Sequence, residues 1–116
     1  MKGHTENVES LCFNPSDASQ LVTTSRDKTV IIWDIRSGDA IKKISTLGEN
    51  IHVCWKPDGS QIATASHDDI VTFIDAKNYQ NLKTKQFQVE VNELKWDLTE
   101  KFFFVTTGQG SVEILE

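Results

Sequence analysis

The sequence predicts an all-β chain assembled from repeated four-stranded antiparallel units, and three observations carry that prediction. The ten residues Ser25-Arg26-Asp27-Lys28-Thr29-Val30-Ile31-Ile32-Trp33-Asp34 join a strand end, a polar turn and an unbroken β-branched and aromatic run. Such a run reads as a strand buried on both faces, fed by a tight turn. The same pattern returns 41 residues later as Ser66-His67-Asp68-Asp69-Ile70-Val71-Thr72-Phe73-Ile74-Asp75. A third, weaker copy runs from Thr107 to Glu116, another 41 residues on.

Taken in order, the first unit begins with the polar loop Gly3-His4-Thr5-Glu6-Asn7 and continues into a strand at 8–13. Asn14-Pro15-Ser16-Asp17 breaks that strand, because proline cannot continue a ladder and Asn, Ser and Asp favour turns. A second strand is expected at 21–25 and a third at 29–34. Arg36-Ser37-Gly38-Asp39 then turns the chain into an outer strand at 40–44, where Lys42 and Lys43 blunt an exposed edge. The second unit repeats this with strands at 51–55, 61–65 and 70–75, a Lys56-Pro57-Asp58-Gly59 turn, and an outer strand at 81–87 carrying Lys83 and Lys85. The third has strands at 91–96, 102–106 and 111–115, joined by Asp97-Leu98-Thr99-Glu100 and Gly108-Gln109-Gly110. Gln109 stands where the turn aspartate stood, and the glycines can supply a positive φ. The units are placed at 1–45, 46–87 and 88–116. Phe102-Phe103-Phe104 reads as core, with rings on both faces of its strand.

A repeat of roughly 40–45 residues with four short strands per unit signals a β-propeller blade. Gly3-His4 opens the first unit and Trp33-Asp34 closes its third strand, and with that spacing the chain resembles the WD-repeat β-propeller family. The resemblance implies a buried hydrogen-bonded chain of His4, Thr23, Asp27 and Trp33. Imidazole and indole N–H groups donate, a hydroxyl does both, and a carboxylate only accepts, so these four can satisfy one another inside a sheet. They are structural on that reading. The second unit keeps only Thr64 and Asp68, since Gly48-Glu49 lacks the histidine and Ile74 replaces the tryptophan. About 2.75 blades of a propeller of about seven are present, and closed propellers hold roughly four to eight. The expectation is therefore a fragment, or a chain that closes with others.

Seventeen acidic residues against twelve basic give a net charge of −5 at pH 7. That balance opposes binding to a phosphate backbone, which depends on Lys and Arg. No run approaches the ~18 apolar residues of a membrane span, and no charged-then-apolar leader precedes the first unit. The composition reads as soluble and intracellular, with no membrane association. Cys12 and Cys54 lie 42 residues apart at equivalent repeat positions, just before Phe13 and Trp55. They read as buried free thiols and not as a disulfide or C-x-x-C motif.

Chemical constellations are thin. His52, Cys54 and His67 are zinc-type ligands, but His67 belongs to a turn away from the strand holding the other two, and no fourth ligand is suitably spaced. Asp68 and Asp69 are adjacent on a turn, where neighbouring side chains point apart, so they do not read as paired catalytic carboxylates. No Gly-rich phosphate loop, G-x-S-x-G elbow or H-E-x-x-H occurs. No cofactor, metal, small-molecule substrate or enzymatic activity is expected. Function then falls to a surface, and the loops and turns gathered on one propeller face would carry Thr5, Glu6, Asn7, Arg26, Lys28, Glu49, Asn50, His67, Asp69, Glu90 and Gln109. Rigid blades hold such polar loops in fixed positions.

The departures from the general repeat point further. The stretch from Gly48 through Cys54 and Trp55 to Gly59, then Asp68-Asp69-Ile70-Val71-Thr72-Phe73-Ile74-Asp75-Ala76-Lys77, then Phe87-Gln88-Val89-Glu90-Val91-Asn92-Glu93-Leu94, resemble one nuclear branch of the WD-repeat family. That resemblance implies a non-enzymatic scaffold whose partners are other protein subunits, in an assembly coupling transcription to mRNA packaging and export. Any RNA association would be indirect. The alternative is an adaptor of another assembly, such as one presenting substrates to a ubiquitin ligase.

Overall fold

β-Branched and aromatic residues fill the strands of this chain, and Pro, Gly, Asn and Asp fall between them. The computed structural model describes residues 3–88, 90–97 and 103–115. Met1, Lys2, the turn residues 98–100 and the first residue of the strand expected at Phe102 lie outside the described residues.

The first sheet is formed by β1 (Val8–Phe13), β2 (Gln20–Ser25), β3 (Thr29–Asp34) and β4 (Ala40–Ser45), paired in that order. The second is β5 (Asn50–Trp55), β6 (Gln61–Ser66), β7 (Ile70–Asp75) and β8 (Gln80–Gln86), again in chain order. The third pairs β9 (Val91–Trp96), β10 (Phe103–Thr107) and β11 (Val112–Leu115). Every pairing is antiparallel. The all-β class, the strand order and the repetition therefore stand as the sequence predicts. Several strand ends shift by one residue, and at β8 the shift changes a side chain's setting: the strand spans Gln80–Gln86, and Phe87 lies beyond it as a buried plug.

The repeat extends to backbone detail. In the β2–β3, β6–β7 and β10–β11 turns the residue at the same repeat position is left-handed, with φ of 67° at Lys28, 64° at Asp69 and 77° at Gly110. Only the third has the residue that adopts this conformation without a Cβ penalty. The pairings β1 to β2 and β5 to β6 each carry a register shift near the start of the inner strand, leaving Glu9 and Ile51 unpaired. β10 to β9 shifts at the corresponding place. Such bulges bend a strand and re-aim the extra residue.

Two apolar cores lie between the three sheets. Val22, Val30 and Ile32 of the first sheet meet Val53, Trp55, Ile62 and Ile74 of the second. Ala63, Ala65, Val71 and Phe73 of the second meet Val91, Phe103 and Val105 of the third. Successive side chains on a strand point to opposite faces, so Ile62 serves one core and Ala63 the other, as do Ile74 and Phe73. The middle sheet is covered on both sides, and its strands read as continuous apolar runs for that reason. In the second core Phe103 stands edge-on to Phe73 and Trp96, with ring centroids 5.0 and 4.9 Å apart. Polar ties join the sheets at their ends. Trp55 Nε1 donates to the Cys12 carbonyl at 3.0 Å, and Asn50 Nδ2 donates to the Thr29 carbonyl and to Thr46 Oγ1.

Candidate functional site

The first sheet brings His4, Thr23, Asp27 and Trp33 together. The loop before β1 lays His4 against β2 and the β2–β3 turn; Nδ1 lies 3.1 Å from Asp27 Oδ2 and Nε2 lies 2.7 Å from Thr23 Oγ1. Trp33 Nε1 donates to that same hydroxyl oxygen at 2.8 Å. Because the carboxylate can only accept, Nδ1 of the neutral ring carries the proton, Nε2 accepts from Thr23, and Thr23 accepts from the indole. Asp27 also accepts from the Thr5 and Thr29 backbone N–H groups, at 2.9 and 3.0 Å, and from the Thr29 hydroxyl. Burial alone would raise this carboxyl, but the hydrogen bonds from Thr29, Thr5 and His4 outweigh it and hold it at about 2. With every member occupied by another, the chain has no free group to offer a substrate.

The second sheet does not join Thr64 to Asp68. Thr46 stands 42 residues after His4; its hydroxyl donates to the Lys28 carbonyl and accepts from Asn50. Thr64 donates instead to the His52 carbonyl at 2.8 Å, and Asp68 is exposed. Gly48 closes the loop where a larger side chain would collide: a Cβ there would sit 2.9 Å from Ser66 Cβ and 3.1 Å from Asp68 Oδ2. The second blade is held by its two apolar faces.

The loop face is assembled by backbone bonds that recur blade by blade. Arg26 N donates to the Asn7 carbonyl, His67 N to that of Glu49, and Gly108 N to that of Glu90. These bonds set Asn7 beside Arg26, Glu49 beside His67, and Glu90 beside the turn that carries Gln109. Glu6, Asn7, Lys28, His67, Glu90 and Gln109 are exposed there, with Arg26, Glu49 and Asp69 half-buried. Two of the candidate residues also serve the fold. Asn50 is 1% exposed, because the bulge at the start of β5 turns its amide into the joint between the first two sheets. It is removed from the surface set. Asp69 Oδ1 accepts the Val91 N–H at 3.1 Å and so fastens the second sheet to the third.

Sequence reasoning missed Glu9, the unpaired bulge residue of β1, whose Oε1 lies 2.6 Å from Arg26 Nε. The hydrogen bond Arg26 donates to Glu9, then the charge of Glu9, raises the Arg26 guanidinium above its usual range. Only a strand irregularity places Glu9 on this face, and alternation along 8–13 gives no signal for it. Carboxylates of Glu6, Glu9, Glu49, Asp68 and Glu90 outnumber the cations Arg26 and Lys28 across the face.

His52, Cys54 and His67 do not converge. His52 is half-buried on β5 with its pKa lowered by burial, while Cys54 packs beside the second core and His67 is exposed in a turn. Burial, then the nearby Cys12, pushes the Cys54 thiol up to about 12, so it stays protonated. Both cysteines are free. Among the described residues no group of three or more His, Cys, Asp or Glu side chains could hold a metal ion, and no helix is long and apolar enough to cross a membrane.

Comparison with known proteins follows the same geometry. The family described as WD domain, G-beta repeat matches residues 1–34 and 41–75. This chain belongs to the WD-repeat family. Its first two sheets carry the matched repeats, and its three antiparallel sheets are consistent with the partial propeller expected from the sequence. It is 42% identical over 99% of its length to THO complex subunit 3 of Arabidopsis thaliana, covering 36% of that protein. It is 32% identical over 97% of its length to WD repeat-containing protein AAC3 of Dictyostelium discoideum, covering 24% of it. In fold it is similar to the WD40 domain of a Toxoplasma gondii coronin, with a TM-score of 0.90 at 22% identity over 98% of this chain and 32% of that one. The WD-repeat chain thus spans about a third or less of these relatives. The resemblance of its atypical loops to one branch of the family is matched by the Arabidopsis relative, and WD-repeat blades support a protein-interaction role.

Proposed function

We propose that this chain is part of a non-enzymatic scaffold subunit of a THO-type assembly in the nucleus, coupling transcription to mRNA processing and export. The observation that carries the reading is the 42% identity to THO complex subunit 3 over 99% of the chain. The geometry supports a scaffold in two ways. The polar groups that might do chemistry, His4, Thr23 and Asp27, are consumed by one another, and the loops that carry exposed polar groups are anchored by the same backbone bond in each blade. Partners are the other protein subunits, which dock on the face carrying Glu6, Asn7, Arg26, Lys28, Glu49, His67, Asp69, Glu90 and Gln109. An acidic face repels a phosphate backbone and attracts Lys- and Arg-bearing protein surfaces, so RNA reaches the assembly through other subunits.

Charge reversal on that face tests the proposal. Glu6→Lys combined with Glu90→Lys in the whole protein reverses two exposed acidic charges of that face; rim charges tune association more than folding. Recovery of partner subunits by the tagged variant is expected to fall several-fold while its melting temperature stays within a few degrees of the parent. Undiminished recovery by a folded variant contradicts this docking face. Recovery of ubiquitin-ligase subunits in place of THO subunits favours the adaptor reading instead.

A further inference from the structure

β8 is the outer edge of the middle sheet, whose two faces are covered by the first sheet and by the third, so its open edge owes nothing to what adjoins those two. Among the described strands it pairs with β7 alone, and all seven of its residues are exposed. Phe87 N donates to the Asp69 carbonyl at 2.9 Å. Backbone groups alternate in side along an antiparallel strand, so Lys83 and Lys85 bond towards β7 while Thr84 and Gln86 turn their N–H and C=O groups outward. The side chains add charge to that ladder. Lys83 Nζ stands 5.0 Å over the Phe73 ring and Lys85 Nζ 5.6 Å over that of Phe87, which holds the two ammonium groups on one side of the strand. β4, the outer strand of the first sheet, carries Lys42 and Lys43. The two outer strands thus hold four lysines and no Asp or Glu, leaving eight basic against seventeen acidic residues in the rest of the chain.

We propose that the β8 edge takes up an extended acidic segment of a partner protein as a fifth strand, its acidic side chains at alternate positions opposite Lys83 and Lys85. Exposed sheet edges receive peptides in this way, the main chain supplying affinity and alternate side chains specificity. Opposite charges facing each other across a ladder stabilise it, and like charges oppose it. The lysines that keep two copies from pairing edge to edge therefore select an acidic strand. A phosphate chain would meet the lysines but leave the outward backbone groups of Thr84 and Gln86 unused, and the acidic remainder of the chain would repel it. The edge is separate from the loop face, and the inference stands whichever assembly that face serves.

The test uses the whole protein and a fluorescein-labelled heptapeptide of alternating valine and glutamate, read by fluorescence anisotropy. The parent is expected to bind it. Lys83→Glu combined with Lys85→Glu should weaken that binding about tenfold and strengthen binding of the matching peptide of alternating valine and lysine by a similar factor. Loss of fold cannot produce that exchange. In the proposed register the valines lie opposite Thr84 and Gln86, so N-methylation of the valines should abolish binding to the parent while N-methylation of the glutamates leaves it. Failure of the parent to bind the glutamate peptide overturns the inference, as does unchanged binding by the double variant. Equal binding of the two methylated peptides also overturns it, since charge alone then suffices. So does tighter binding of a single-stranded oligouridylate that is lost with the two lysines, which indicates a phosphate ligand.

Discussion

Asp27 accepts three N–H groups and a hydroxyl in a site where its side chain is 4% exposed, and its removal strands all of them. A buried unsatisfied donor costs roughly 1–3 kcal/mol, so Asp27→Ala is expected to destabilise the protein by that amount. Lys28→Ala, one residue on and exposed, should change stability by no more than about 0.5 kcal/mol. Equal shifts in paired thermal melts contradict the assignment. Acid gives an independent readout. The folded carboxyl sits at about 2 against an ordinary 3.8, so its contribution, on the order of 2 kcal/mol, is complete above pH ~4 and is lost as pH falls towards 2. Asp27→Asn should therefore flatten the loss of melting temperature between pH 5 and 2 relative to the parent. An unchanged slope rejects the depressed carboxyl. The left-handed Lys28 offers a gain: Lys28→Gly relieves a Cβ clash and is expected to stabilise by up to about 1 kcal/mol in a denaturant titration.

At the level of the element, strands and turns were legible because each obeys a local rule. Val30, Ile31 and Ile32 can only be a two-faced buried strand, and Pro15 and Pro57 mark breaks. The His4, Thr23, Asp27 and Trp33 spacing is legible through the family pattern, since nothing local says that residues 29 apart in sequence meet. What was not legible depends on register. The bulges that expose Glu9 to Arg26 and bury Asn50 arise from one unpaired residue in a ladder, and polar Asn50 at a strand start looks like any loop residue. Thr64 and Asp68 match the pattern by position, yet the partners that would join them are absent from that blade. Gly48 carries the element-scale prediction. Its missing Cβ would lie 2.9 Å from Ser66 Cβ, so Gly48→Ala should force the loop off β6 and cost about 1–3 kcal/mol, read as a lower denaturation midpoint. Gly110→Ala meets no atom within 4 Å and should cost only the left-handed penalty of about 1 kcal/mol.

Across the whole molecule, a sandwiched middle blade that lacks the polar chain sits beside an outer blade that has it, and apolar packing compensates for the missing hydrogen bonds. Blades of this kind are rigid platforms, and the variable chemistry lies in the loops they hold. The acidic loop face, the mutually bonded His4, Thr23, Asp27 and Trp33, and the 42% identity to a THO subunit over 99% of the chain converge on a scaffold. The most direct measurement is affinity purification of the tagged whole protein from nuclear extract, with recovered proteins identified by mass spectrometry and the purified protein titrated against bare single-stranded RNA at physiological salt. The account predicts stoichiometric recovery of THO subunits and no RNA binding tighter than the non-specific range, about 10⁻⁴–10⁻⁶ M. Absence of THO subunits, or tight binding to the bare RNA, contradicts it.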